Sequence, residues 1–132
     1  RQYVLAGTVI SGLGEGRYYM SLPHYKEHFG KYLGFEPFPG TLNIKLDATS
    51  TEVRKHLDHV GWIVVPGFTA DERTFGGARL LPCRIRGHKC AIVEPSRTHY
   101  PSDIIEVIAA CQLRKALNLN DNDTIEVEIT HD

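Results

Sequence analysis

Residues 2–19, QYVLAGTVISGLGEGRYY, decide how the start of the chain folds. The segment from Gln2 to Ser11 is rich in Val, Ile and Thr, which predicts a β-strand. Three glycines alternate with other residues directly after it. Glycine tolerates positive φ and lets a ligand approach the backbone closely. We therefore predict a strand, a glycine-rich loop, and a returning strand over Arg17 to Ser21.

The glycine-rich loop has two interpretations that the residues alone leave open. Successive backbone N–H groups in such a loop can form an anion-binding concavity, and Arg17 directly after it favours an anion. The loop is not a P-loop, because no Gly-Lys-Ser/Thr follows, and its GxGxG spacing differs from the Rossmann fingerprint. The equal alternative is a glycine-rich hairpin that binds no ligand.

Size and composition limit the class of protein. A chain of 132 residues with 42% hydrophobic and 23% charged residues is typical of one globular domain. The formal net charge of −1 argues against nucleic acid as a partner. No apolar run approaches the ~20 residues that span a membrane, so we expect no membrane association. The chain starts at Arg1 rather than Met, and we expect a domain cut from a longer chain with an N-terminal extension.

The cysteines and histidines point to no metal site or disulfide framework. Cys83, Cys90 and Cys111 form no CxxC pair, which is typical of reduced thiols in a cytoplasm. His24 and His28 have the i, i+4 spacing, but no third ligand is evident, so a zinc site is disfavoured.

Hydrophobic periodicity and turn residues predict a mainly β domain. A helix is expected over Pro23–Leu33, since proline suits a first turn and Gly34 suits a helix end. Two further helices are expected over Thr51–His59, capped by Thr49 or Ser50, and over Leu113–Leu119. Residues 66–77 predict a polar loop. The remaining predicted strands are Leu42–Leu46, Gly61–Val65, Ala78–Arg86, Lys89–Val93, the apolar stretch Ile104–Ala110, and Thr124–Ile129.

About seven short strands and three short helices do not fit a parallel βαβ array, because long helices do not alternate with strands. A small closed β-barrel with a few flanking helices fits this pattern best.

Three polar residues on or next to predicted strands are candidates for chemistry. Thr41 and Asn43 are two apart, so their oxygens face the same way, and hard oxygens of this kind suit Mg²⁺. The alternative is a turn-to-strand junction in which both side chains bond to backbone. Glu106 is a lone carboxylate among apolar residues, which is costly unless it is paired or functional, and it could accept a hydroxyl proton. The alternative is a strand residue that faces solvent by alternation.

Five segments in order resemble the archaeal CTP-dependent riboflavin kinase family. They are GTVISGLGEGRYYMS, FPGTLNI, GFTADERTFGG, EPSRTHYPSDIIEVIA and CQLRKALNLNDNDTIEV, and they span nearly the whole chain. The resemblance implies a cradle-loop, riboflavin-kinase-like barrel. It also implies transfer of the γ-phosphoryl group of CTP to the 5′-hydroxyl of riboflavin, giving FMN and CDP. We expect a cytoplasmic monomer that acts on these two small molecules.

The resemblance also assigns roles to individual residues. It implies Mg²⁺ ligation by Thr41 and Asn43, and flavin contact by Thr98 and Glu106. Glu106 is then the candidate for orienting or deprotonating the ribityl hydroxyl. The implied nucleotide-binding residues are Gly12, Leu13, Gly14, Glu15, Gly16, Arg17, Cys111, Gln112, Leu113 and Arg114.

The chain departs from the family pattern in one turn. It has Asp121-Asn122-Asp123 where the family often has Asp-Gly-Asp, but Asn also tolerates the left-handed conformation. The competing functional hypothesis is a non-catalytic barrel that holds a flavin or nucleotide for a partner domain.

Overall fold

The computed structural model describes residues 1–11, 23–96 and 101–130. Within these ranges the chain forms nine strands, three α-helices and one 3-10 turn. The helices are α1 (Pro23–Leu33), α2 (Ala48–His56) and α3 (Leu113–Ala116), and the 3-10 turn is Leu57–His59. The strands are β1 (Gln2–Ile10), β2 (Leu42–Leu46), β3 (Ile63–Val65), β4 (Phe68–Ala70), β5 (Arg73–Phe75), β6 (Ala78–Ile85), β7 (His88–Pro95), β8 (Ile104–Ala109) and β9 (Thr124–Thr130).

Six of the strands close into an antiparallel barrel in the order β6-β7-β8-β2-β1-β9. The barrel closes where Arg84 of β6 pairs with Glu128 of β9. Each of the six strands therefore has a neighbour on both sides, and closing a sheet in this way removes exposed edges that could aggregate. Strand β3 pairs with β6 beside the barrel, and β4 and β5 form a separate hairpin. The predicted small closed barrel with flanking helices is confirmed.

Two apolar layers hold the fold together. Alternate residues of the barrel strands, such as Ile44 and Val107, fill the interior. On the outer wall, Phe29 of α1 packs with Val93 and Ile108 in a second buried cluster. None of the helices in the described part of the chain is both long and apolar enough to cross a lipid bilayer.

Helix α2 begins earlier than predicted because Asp47 is its N-cap. The Asp47 carboxylate accepts a hydrogen bond from the Ser50 backbone N–H at 2.7 Å. The Ser50 hydroxyl instead accepts from the backbone N–H of Ala6 at 2.8 Å and ties α2 to β1. The predicted cap at Thr49 or Ser50 is therefore wrong.

The bounds of α1 and β2 match the prediction, whereas several other ends differ. Helix α2 stops at His56 and passes into the 3-10 turn, and α3 stops at Ala116 rather than Leu119. Strand β3 begins at Ile63 rather than Gly61, because only the last three residues of that segment pair with β6. The predicted strand over Arg17–Ser21 lies outside the described residues.

The predicted loop over residues 66–77 contains the β4–β5 hairpin instead. Its two turn residues, Asp71 and Glu72, have φ of 50° and 62°, a conformation that usually signals Gly, Asn or Asp. The rings of Phe68 and Phe75 stack with their centroids 4.9 Å apart across the hairpin. Both rings also pack edge-on against Tyr25 of α1. Aromatic packing thus orders a segment whose composition suggests a loop.

Candidate functional site

One row of paired residues crosses three strands of the barrel wall. Asn43 of β2 lies opposite Ile10 of β1 on one side and opposite Glu106 of β8 on the other. Because Ile44 and Val107 fill the interior, alternation places Asn43 and Glu106 on the outer wall. Residues directly opposite in antiparallel strands have Cα atoms about 4.5–5.5 Å apart. The amide and the carboxylate are therefore neighbours on one surface, beside the residue that precedes Ser11 and the glycine-rich loop.

Glu106 and Asn43 are both buried. Glu106 is 2% exposed and Asn43 is 8% exposed. The alternative in which Glu106 faces solvent by alternation is therefore wrong. A buried carboxylate is costly and is kept in position only by specific polar contacts. Its burial therefore distinguishes Glu106 from the charged residues that strands usually expose to solvent.

Thr41 and Asn43 present two oxygens close together. The Thr41 hydroxyl donates to the Asn43 side-chain oxygen at 3.2 Å. Two oxygens at adjacent corners of an octahedron around Mg²⁺, each about 2.1 Å from the ion, lie about 3 Å apart. The spacing of these two neutral oxygens thus fits a magnesium ion that takes its other ligands from water and phosphate.

His28 and two of the cysteines make contacts of other kinds. The His28 ring stacks on Phe68 with centroids 4.1 Å apart. Cys83 and Cys90 are buried free thiols whose sulfur atoms lie 3.7 Å apart. Burial and the hydrogen bond to Cys90 raise the pKa of the Cys83 thiol, the hydrogen bond contributing most. Over the described ranges, no group of three or more His, Cys, Asp and Glu side chains is arranged to hold a metal ion.

Asp121 joins the end of β1 to helix α3. Its Oδ2 accepts a hydrogen bond from the Ser11 hydroxyl at 2.6 Å, and its Oδ1 forms an ion pair with the Arg114 guanidinium. Both contacts lower the pKa of the Asp121 carboxyl, and the hydrogen bond from Ser11 has the larger effect. Ser11 directly precedes the predicted nucleotide loop, and Arg114 ends the second predicted nucleotide segment. The starting point of one segment is thereby joined to the other, although Gly12–Arg17 themselves lie outside the described residues.

The second predicted nucleotide segment, Cys111–Arg114, contains four residues that differ in their exposure to solvent. Leu113 is buried in the barrel core, so only its backbone is available to a ligand. Gln112 is the exposed N-cap residue of α3, and Cys111 and Arg114 are partly buried. The segment is thus anchored by Leu113, with its neighbours closer to the surface.

A cavity of about 290 Å³ lies where β7 ends and β8 begins, and Glu106 lines it. Its walls combine apolar and charged side chains, as is typical of sites for small organic molecules. The lining also includes Arg54, Arg79, Glu94, Pro101, Ile92 and Ile104. Thr98, the predicted flavin contact, belongs to the connection between these two strands but lies outside the described residues.

Four charged side chains form a compact cluster at this cavity. Arg54 donates to Asp58 at 2.7 Å and also pairs with Glu94, while Arg79 donates to the same two carboxylates, each at 2.8 Å. Both guanidinium groups lie over the Trp62 ring, at 4.9 and 4.1 Å from its centroid. Hydrogen bonding to Arg54, opposed by partial burial and aided by Arg79, lowers the pKa of Asp58.

Sequence reasoning missed this cluster and the Asp121 contacts. The cluster members come from separate segments that only the folded chain brings together. Residues 120–123, NDND, predicted only a turn. Neither spacing nor composition indicated that the Asp121 side chain contacts Ser11, which directly follows β1.

Comparison with known proteins places the chain in a family. A family model named CTP-dep_RFKase, described as a domain of unknown function, DUF120, matches residues 9–129. Three curated relatives, each named riboflavin kinase, are similar to the chain. The protein from Methanoculleus marisnigri is 83% identical over 132 residues, covering 100% of this chain and 60% of its own length.

The other two relatives are more distant. The protein from Methanocorpusculum labreanum is 57% identical over 97% of this chain and 58% of its own length. That from Pyrobaculum aerophilum is 54% identical over 95% of this chain and 60% of its own length. The chain thus spans about three-fifths of the relatives that it matches. With nearly all of its residues matched by the family model, the chain belongs to the CTP-dep_RFKase family, as its five segments predicted.

Proposed function

We propose that the chain is a CTP-dependent riboflavin kinase, which transfers the γ-phosphoryl group of CTP to the 5′-hydroxyl of riboflavin. The observation that carries the proposal is the row Ile10–Asn43–Glu106. In this row Ile10, which lies shortly before the predicted nucleotide loop, is paired with the candidate metal ligand Asn43. Asn43 is in turn paired with the buried carboxylate of Glu106. Membership of the CTP-dep_RFKase family and the names of the curated relatives support the same reaction.

Phosphoryl transfer depends on positioning and charge stabilisation more than on covalent chemistry. The hydroxyl oxygen of riboflavin attacks the γ-phosphorus, the bond to the bridging oxygen of CDP breaks, and the hydroxyl proton leaves. We assign acceptance of that proton, or orientation of the hydroxyl, to Glu106. Its carboxylate is buried beside Asn43 and lines the cavity of about 290 Å³, which we assign to riboflavin together with Thr98.

We assign Mg²⁺ to Thr41 and Asn43, because their side-chain oxygens are 3.2 Å apart. When bound, Mg²⁺ would withdraw negative charge from the phosphates. Both side chains are neutral, and Asn43 lies directly opposite Glu106. Neutral ligands avoid an extra negative charge beside a triphosphate.

We assign CTP to Gly12–Arg17 and to Cys111–Arg114. The Ser11–Asp121–Arg114 contacts support this assignment, since they link Arg114 of the second segment to Ser11, the residue before the first. Because the Leu113 side chain is buried, we assign recognition of the cytosine edge to the backbone around Cys111–Leu113.

The test is to incubate the chain with riboflavin, Mg²⁺ and each of CTP, ATP, GTP and UTP, and to separate FMN from riboflavin. We expect FMN and CDP in equal amounts with CTP, and much less product with ATP. Quenching of riboflavin fluorescence without FMN formation, in folded protein, would favour the non-catalytic binding barrel and overturn the proposal. FMN formation with ATP at the same rate as with CTP would overturn the assignment of the donor.

A further inference from the structure

We infer that Asp121 is a positioning residue of the CTP site, which holds Ser11 and Arg114 in place before the nucleotide binds. The inference rests on the proposed function, because it concerns the same nucleotide site. Asp121 itself is not among the residues that the family resemblance assigns to the ligand.

Each oxygen of the Asp121 carboxylate has its own partner. Oδ2 accepts from the Ser11 hydroxyl at 2.6 Å, and Oδ1 receives the Arg114 guanidinium. Ser11 is next to the first residue of the predicted nucleotide loop, and Arg114 belongs to the second predicted segment. One side chain therefore contacts two residues that are far apart in sequence, Ser11 and Arg114.

The turn that carries Asp121 is held by other groups. The Asp123 carboxylate accepts from the backbone N–H of Asn120 at 2.7 Å, and the Asn122 N–H donates to the Val9 carbonyl at 2.7 Å. Asn122 adopts a left-handed φ of 72°, which Asn tolerates well. Substitution of Asp121 should therefore leave the turn in place, so that its effects report on Ser11 and Arg114.

The charge of Asp121 does not oppose a triphosphate, because it is paired. Within the described residues, the Arg114 side chain makes only this one contact, through a single terminal nitrogen. Its other donors remain for an anion, and its side chain is 37% exposed. An arginine already held in one orientation loses less conformational entropy when a phosphate binds. Loss of Asp121 should weaken CTP binding rather than strengthen it.

The test compares Asp121→Ala, Asp121→Asn and Ser11→Ala in the otherwise unchanged chain. Glu126→Ala is the matched control, because Glu126 is an exposed carboxylate on β9 that forms no ion pair among the described residues. The dissociation constant of CTP with Mg²⁺ is measured by calorimetry without riboflavin. The KM for riboflavin is measured separately at saturating CTP, and thermal unfolding checks that each variant is folded.

For Asp121→Ala we expect the CTP dissociation constant to rise about five- to tenfold, the scale of one or two exposed charged contacts. The KM for riboflavin should stay within about twofold and the unfolding midpoint within about 3 °C. Asp121→Asn should recover part of the affinity, since its amide oxygen can accept from Arg114 and its NH₂ can donate to the Ser11 hydroxyl. The loss in a Ser11→Ala, Asp121→Ala double variant should be smaller than the sum of the single losses.

An unchanged or tighter CTP affinity in Asp121→Ala would overturn the inference while the proposed function stands, provided that the wild-type chain forms FMN from CTP. A similar loss in Glu126→Ala would also overturn it, because the effect would then be one of general charge. If the wild-type chain neither binds CTP nor forms FMN, the proposed function fails and this inference fails with it.

Discussion

The two halves of the proposed site are held in place by different means. Asn43 and Glu106 are buried and take their positions from backbone pairing across the barrel wall. Ser11 and Arg114 are nearer the surface, and the side chain of Asp121 contacts both of them. The strand-held pair can change its geometry only if the barrel does, whereas the side-chain contacts can adjust to a ligand that enters and leaves. Under the proposed function, chemistry belongs to the first half and nucleotide retention to the second.

The strongest test of this comparison is Glu106→Gln. The side chain keeps its shape and buried position but can no longer accept a proton, so we expect kcat to fall about 10²- to 10³-fold. The dissociation constant of CTP should change little, because Glu106 belongs to the strand-held half. Initial rates of FMN formation and calorimetry measure the two effects. A kcat close to that of the wild-type chain would remove the proton-accepting role from Glu106.

Asn43→Ala is expected to have the next largest effect, a fall of about 10² in turnover through loss of one metal ligand and its geometry. Lys45→Ala is the matched control, since Lys45 is on the same strand and the same outer face but is exposed. The rate is measured over a range of Mg²⁺ concentrations, and a higher Mg²⁺ requirement is expected for Asn43→Ala alone. An equal Mg²⁺ requirement in the two variants would exclude metal binding by Asn43.

Sequence reasoning found the members of the strand-held half but not their adjacency. Glu106 was recognisable as a lone carboxylate among apolar residues, and Thr41 and Asn43 as two oxygen-bearing side chains with a spacing of two. That Asn43 lies opposite Glu106 depends on the pairing of β2 with β8, which are distant in sequence and become neighbours only in the folded sheet. Helix α1, by contrast, was predicted to its exact bounds because Pro23 and Gly34 mark its two ends locally.

A third region for comparison is the ion-pair cluster at the cavity. Its charged side chains pair with one another, so we expect its main contribution to be to the stability of the fold. Arg54 has a side chain only 10% exposed and contacts both Asp58 and Glu94. Arg54→Ala leaves two carboxylates without this partner, so we expect the free energy of unfolding to fall by about 2–4 kcal/mol. Lys55→Ala, which removes an exposed pair with Glu52 on the same helix, should change it by less than about 1 kcal/mol. Urea unfolding of the two variants measures the difference, and equal losses would show that Arg54 is not the stabilising partner.

The smallest expected effect is a pH dependence. The pKa of Asp58 is lowered, chiefly by its hydrogen bond to Arg54, from a usual value of 3.8. A carboxyl with a lowered folded-state pKa stabilises the fold above its unfolded pKa, and this contribution is lost as the pH falls through the lower value. The stability gap between the wild-type chain and Arg54→Ala should therefore narrow from pH 5 to pH 3. Urea midpoints at the two pH values measure it, and a constant gap would contradict the Asp58–Arg54 coupling.

The features that sequence reasoning missed share one physical cause. The β4–β5 turn uses Asp71 and Glu72 at positive φ, and it is stabilised by ring packing rather than by a glycine signal. The N-cap of α2 was expected at Thr49 or Ser50, but the Ser50 hydroxyl is engaged with the backbone of Ala6 and Asp47 caps the helix. In each case contacts between segments overrode the local preference.

The burial of strand β7 has a consequence for the order in which parts of the domain unfold. Cys90, Ala91, Ile92 and Val93 are all buried, because the barrel core covers one face of the strand and α1 covers the other. Backbone amides in such a strand should exchange hydrogen with solvent only when the whole domain unfolds. Glu106 pairs with Val93, so it belongs to this slowest-exchanging unit. On heating, the contacts of Asp121 with Ser11 and Arg114 should therefore be lost before the strands that carry Glu106 unfold. CTP affinity should then disappear at a lower temperature than the one at which the barrel melts.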